Sequence, residues 1–131
     1  MKKIISWIAA IVSAITMLQT LYFKFSAAPE SVYIFSTLGI EPWGRIGSGV
    51  AELIASILIL IPSIRWLGAG LGLGVISGAI LAHLTQLGIE VQGDGGYLFV
   101  LALVVFAGCG ICLYLEKDKL KSIYVRFFPA R

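Results

Sequence analysis

Four nearly unbroken apolar stretches, at 4–23, 46–61, 66–89 and 97–115, decide what this chain can fold into. A helix needs about 20 predominantly apolar residues to cross the hydrocarbon of a bilayer, and each stretch comes near that length. The segments between them hold most of the proline, aspartate and glutamate. Composition agrees: 13% of the 131 residues are charged and 59% are hydrophobic, with a mean hydropathy of +0.97. A soluble domain carries about 25% charged residues, so this chain has too few to cover a water-facing surface. That excludes most soluble enzymes. The expectation is a single all-α membrane domain over 1–131. It is a four-transmembrane-helix bundle with a short outer surface helix and a C-terminal amphipathic helix at 117–131.

Charge placement sets the orientation. Lys2 and Lys3 precede the first stretch, Arg65 lies in the second connection, and Lys117, Lys119, Lys121, Arg126 and Arg131 follow the fourth. Only Lys24 and Arg45 lie opposite. The positive-inside rule then puts both termini in the cytoplasm. The net charge of +3 therefore reads as a topology signal, with no nucleic acid implied. Trp7, Trp66 and Tyr114 mark the inner interface, and Trp43 and Tyr97 the outer one. A cleaved signal peptide is the alternative for the first stretch. Its apolar length exceeds the usual 7 to 15 residues or so, and its removal would leave an odd number of crossings.

Pro29 ahead of Val32, Phe35 and Leu38, with Gly39 beyond, is helix punctuation. It predicts a short helix on the outer surface, able to act as a lid. Leu120, Ile123, Tyr124, Phe127 and Phe128 share one helical face, which predicts a basic amphipathic helix on the cytoplasmic leaflet. That helix serves either as a membrane anchor or as a docking surface for a soluble partner. Lipid gives helices no hydrophobic reason to associate, so small residues are needed for close packing. Gly68, Gly70, Gly72, Gly74 and Gly78 in the third crossing, and Gly108 and Gly110 in the fourth, are expected to supply it.

Ionisable residues within a crossing are candidates for function. Glu52 lies six residues into the second crossing and His83 six residues before the end of the third, each about 9 Å deep at 1.5 Å per residue. The two can face each other at one level. Gln19, Tyr22, Lys24, Arg45 and Gln86 fall in the same outer half and complete a predicted polar cluster. A bond between Glu52 and His83 that only glues helices gains about 0.6 to 2 kcal/mol. Placing a carboxylate mid-helix costs about 2.5 to 3.5 kcal/mol. A ligand-binding or proton-handling site is therefore favoured over glue, since buried Glu and His suit proton exchange. Cys109 and Cys112 form a CxxC in the fourth crossing. A redox pair is one reading, and small-residue packing is the favoured one. Cys109 lies about 18 Å from the outer surface, toward the reducing side. No metal site is implied, because His83 lies at another depth from the cysteines.

The run Val50-Ala-Glu52-Leu-Ile-Ala-Ser-Ile-Leu-Ile-Leu, the basic turn at Arg65, Ala82-His83-Leu84 and Gly95-Gly96-Tyr97-Leu-Phe resemble the DoxX and DoxX-like family of small four-helix membrane proteins. In that family a lysine closes the first crossing, a glutamate sits early in the second and a histidine late in the third. Lys24, Glu52 and His83 match those places, while Lys2 and Lys3 stand where an arginine often opens the first crossing. The resemblance implies a link to membrane redox processes. A quinone is the implied ligand, its carbonyls met by His83 and Lys24, with Glu52 exchanging protons. The electrons would come from an oxidoreductase partner, because no acceptor is visible in this chain. A carrier for a lipid or small solute and a scaffold that assembles as a homo-oligomer are the alternatives.

Overall fold

The computed structural model describes residues 1–129. The carboxy-terminal Arg131 of the predicted tail lies outside them. Among the described residues the chain is helical and contains no strand. Helix α1 spans Lys2–Phe25, α2 Pro29–Thr37, α3 Trp43–Ile59, α4 Arg65–Ala82, α5 Tyr97–Leu115 and α6 Lys117–Phe127. A 3₁₀ turn, Pro62–Ile64, leads into α4, and a π-helical turn, His83–Leu87, continues it. Helix α1 packs between α3 and α5, as does α4, so four helices close a ring.

The ring is built inside out relative to a soluble bundle. Ala10, Ser13, Ala14, Ala55, Ser56, Ala69, Cys109 and Cys112 fill its centre. Large apolar side chains such as Ile4, Ile8, Ile15, Ile54, Leu103 and Phe106 stand exposed on the outside. Close helix packing through small residues, with bulky apolar groups turned outward, is the arrangement that lipid favours. Three segments are long and apolar enough to cross a membrane: Lys2–Phe25, Pro62–Leu87 and Tyr97–Leu115. Helix α3, with 17 residues and about 26 Å, is not among those three.

The glycines of α4 divide into two sets. A Cβ on Gly68 would strike the backbone of Leu58 and Ile59, so this glycine lets α4 fold back tightly against α3. A Cβ on Gly72 would lie 3.0 Å from Cys109 Sγ, 3.6 Å from Met17 Sδ and 3.7 Å from Ala55 Cβ. Gly72 is thus the point where α4 meets the other three helices. On α5, Gly108 abuts Ser13 and the Ala9 carbonyl of α1. Gly70, Gly74, Gly78 and Gly110 have open space beside them, so the packing role predicted for them is not met within the chain. The difference follows from helical phase: Gly68 and Gly72 face the ring, and Gly70, Gly74 and Gly78 face away.

Candidate functional site

Helix α2 lies across one end of the ring, touching α1, α3 and the π-helical turn. Proline at its first turn and Glu30 in that turn suit its start. Phe35 and Ser31 are its buried residues. Beneath it, Lys24 Nζ lies 2.5 Å from Glu52 Oε1. The side chains are 15% and 6% exposed, so the ion pair is largely withdrawn from solvent. The Thr20 hydroxyl shares its proton between Glu52 Oε2, at 3.2 Å, and the Met17 carbonyl, at 2.8 Å. Thr20 sits one turn before Lys24, so a single face of α1 supplies both donors to the carboxylate. The Phe35 ring is 5.8 Å from the Lys24 ammonium and places α2 as a roof over the pair.

Arg45 joins this end from α3. Its Nε donates to the Glu41 carboxylate at 2.8 and 3.1 Å, and its Nη1 donates to the Lys24 carbonyl. The guanidinium therefore caps the end of α1, where helix carbonyls lack intrahelical partners. A Cβ on Gly49 would come within 2.9 Å of the Phe25 ring, so glycine there admits the aromatic that follows Lys24. Two cations and two carboxylates thus balance within one connected network.

His83 is buried but belongs to a different local set. Its Nδ1 lies 2.9 Å from the Gly88 carbonyl. A carbonyl only accepts, so Nδ1 carries the proton, and Nε2 of a neutral ring is left as an acceptor. The ring packs edge-on against Phe99 at 5.5 Å. Gly88 closes the π turn with φ +79, a conformation that suits glycine. Among the described residues no hydrogen bond joins Glu52 to His83. Glu52 instead takes Lys24 and Thr20 from α1, while the widened turn aims the imidazole at its own backbone.

The rest of the predicted cluster disperses. Gln19 is exposed and donates to the Tyr97 hydroxyl at 2.9 Å, tying α1 to α5. Tyr22 is 73% exposed and stacks edge-on with Phe23. Gln86 is exposed on the π turn. Cys109 and Cys112 are free thiols at the centre of the bundle. Cys109 packs against Gly72, and Cys112 donates weakly to the Ser6 carbonyl at 3.8 Å. They serve as small core residues here. No three His, Cys, Asp or Glu side chains come together to hold a metal among the described residues.

Thr20, Phe35, Glu41 and Phe99 were not part of the predicted site. Spacing does flag Thr20, four residues before Lys24 on the same face of α1, whereas Glu41 lies in the turn ahead of α3. Asp94, in the loop before α5, accepts from the backbone N–H groups of Val91, Gly96 and Leu98 at 3.0, 2.8 and 3.2 Å. Burial pushes its carboxyl up, but the three backbone donors and nearby His83 outweigh that and hold it below the usual 3.8. Asp94 thereby fixes the loop that runs from His83 to α5. No protein-family model matches the chain, and no curated protein or solved structure matches it.

Proposed function

We propose that this chain is a DoxX-like integral membrane protein whose bundle holds a lipophilic, quinone-like molecule at the end roofed by α2. It would act as an accessory subunit of a membrane oxidoreductase system. The observation that carries this reading is the Lys24–Glu52 ion pair, largely withdrawn from solvent beneath α2. An ammonium has three donors, and here one of them meets Glu52. A ring carbonyl can take another, with Glu52 beside it to accept or return a proton. His83 offers Nε2 under the same roof as an acceptor for the hydroxyl of the reduced, quinol form, and Phe35 and Phe99 supply flat apolar walls.

In this reading all four ring helices cross the bilayer. Helix α3 does so as a short crossing, accommodated by local thinning and by the 3₁₀ turn that follows it. The biased placement of Lys and Arg supports cytoplasmic termini, and in this reading the membrane is a prokaryotic inner membrane. The Lys24–Glu52 site then lies in the outer half.

Titration of the detergent-solubilised protein with a short-chain quinone analogue, followed by tryptophan quenching, tests this. Saturable binding by the parent, weakened at least tenfold in both Glu52→Gln and His83→Ala, is expected. Equal affinity in parent and variants contradicts it. A second reading, a structural scaffold without ligand, is favoured by the charge balance of the Glu41–Arg45–Lys24–Glu52 network, which leaves no net charge for a ligand to neutralise.

A further inference from the structure

The opposite end of the ring, where α1 begins and α6 starts, contains a cleft of about 420 Å³. Lys2, Lys3, Arg65 and Lys119 line it, together with a single carboxylate, Glu116. Arg65 is 3% exposed. Its Nε donates to the Ile59 carbonyl and its Nη1 to Ser6 Oγ, both at 2.8 Å, so it latches α1 to the α3–α4 turn. The Trp7 ring lies 4.2 Å from the guanidinium carbon and fixes its plane. Nη2 is buried and has no hydrogen-bond partner among the described residues. Glu116 does not meet that need, since it pairs with Lys119 at 3.5 Å. Lys119 also donates to the Pro62 and Ser63 carbonyls, which holds the start of α6 at the rim of the cleft.

A buried guanidinium with an idle donor, in a cleft with three lysines, lacks an oxyanion. Phosphate oxygens match the guanidinium fork, and a phosphate monoanion suits the surplus of positive charge. The surroundings favour a lipid over a free ion. Ile4 and Ile8 on α1, and Tyr124 and Phe127 on α6 with Phe128 just beyond it, expose apolar side chains at the same end. A headgroup in the cleft therefore has surfaces nearby for its acyl chains. Basic clefts between membrane helices on the cytoplasmic side are a known setting for anionic headgroups. We infer that this cleft binds the phosphate of an anionic phospholipid, with Arg65 and the amino-terminal lysines as ligands and α6 lying along its acyl chains. The inference rests on the bundle lying in a bilayer and is independent of what occupies the Lys24–Glu52 end.

Native mass spectrometry of the full chain, with phosphatidylglycerol and phosphatidylcholine offered in equal amounts, tests it. One phosphatidylglycerol is expected to be retained in preference, by roughly tenfold or more. Lys2→Gln/Lys3→Gln should abolish most of that preference, while Lys121→Gln/Arg126→Gln, which removes equal charge outside the cleft, should leave it. Arg65 is spared because its loss would unlatch α1. Equal retention of the two lipids, or equal loss in both double variants, overturns the site. So does displacement of the bound lipid by millimolar inorganic phosphate, which would assign the cleft to the free ion. Retention of neither lipid by a chain that stays monomeric without detergent overturns the membrane placement as well.

Discussion

Glu52 takes both its side-chain bonds from α1, so its partner is the residue most exposed to its loss. Glu52→Gln leaves the Lys24 ammonium under α2 without a counter-charge. Breaking a buried pair from one side costs about 3 to 5 kcal/mol, and replacing both members by apolar groups is often neutral. Glu52→Leu and Lys24→Met alone are each expected to lower the unfolding midpoint in detergent, with the double variant recovering most of the loss. Additive losses would show that the two groups act separately. Asp94 predicts a pH effect of definite sign. Its folded pKa lies below the usual 3.8, so its hold on the loop is complete above that value and is lost as the pH falls through the lower one. The amide resonances of Val91, Gly96 and Leu98 should shift together with a midpoint below 3.8, and Asp94→Asn should remove the transition. At this scale the sequence separated buried from exposed polar residues only in part: Glu52, Arg45 and His83 are buried, Gln19, Tyr22 and Gln86 are exposed, and Arg65, read as a topology signal, is buried. Depth counting placed Glu52, His83 and Lys24 near one end, and all three are there. It could not assign partners: Thr20 shares the face of Lys24 by spacing, but whether α1 or α4 turns its polar face to Glu52 is settled only by packing.

The elements were more legible than their contacts. Apolar length alone marks α1, α4 and α5, and Pro29 marks the start of α2. The π turn at His83–Leu87 was hidden, since 66–89 reads as one crossing despite His83, Thr85 and Gln86 within it; Gly88, which closes the turn with positive φ, hints at the break. The glycines of α4 were read as a single packing set, but composition carries no phase. Rotation about the helix axis sends Gly72 into the ring and Gly74 out of it. Overpacking a filled core costs about 1 to 3 kcal/mol. Gly72→Val is therefore expected to lower the thermal midpoint in detergent, while Gly74→Ala leaves it unchanged or raises it through better helix propensity. Equal destabilisation by both would mean that the outward face of α4 is also packed.

For the whole molecule, the sparse charges sort by place. Most lie at the two ends of the ring, where Arg65 latches three segments together and Arg45 caps α1. The small-residue centre and bulky apolar exterior fit lipid as the solvent, and the composition foretold that. Nothing in a pattern of apolar runs specifies what a polar pair inside them holds, so the quinone proposed for the α2 end comes from the family resemblance and not from the pattern. The most direct measurement is lipid extraction from the protein purified in mild detergent, with quinone quantified against an unrelated membrane protein purified alongside. The account predicts about one quinone per chain, and none with Lys24→Met/Glu52→Leu, which should still fold. A parent that retains no more quinone than the unrelated protein, or a double variant that retains as much as the parent, would contradict it.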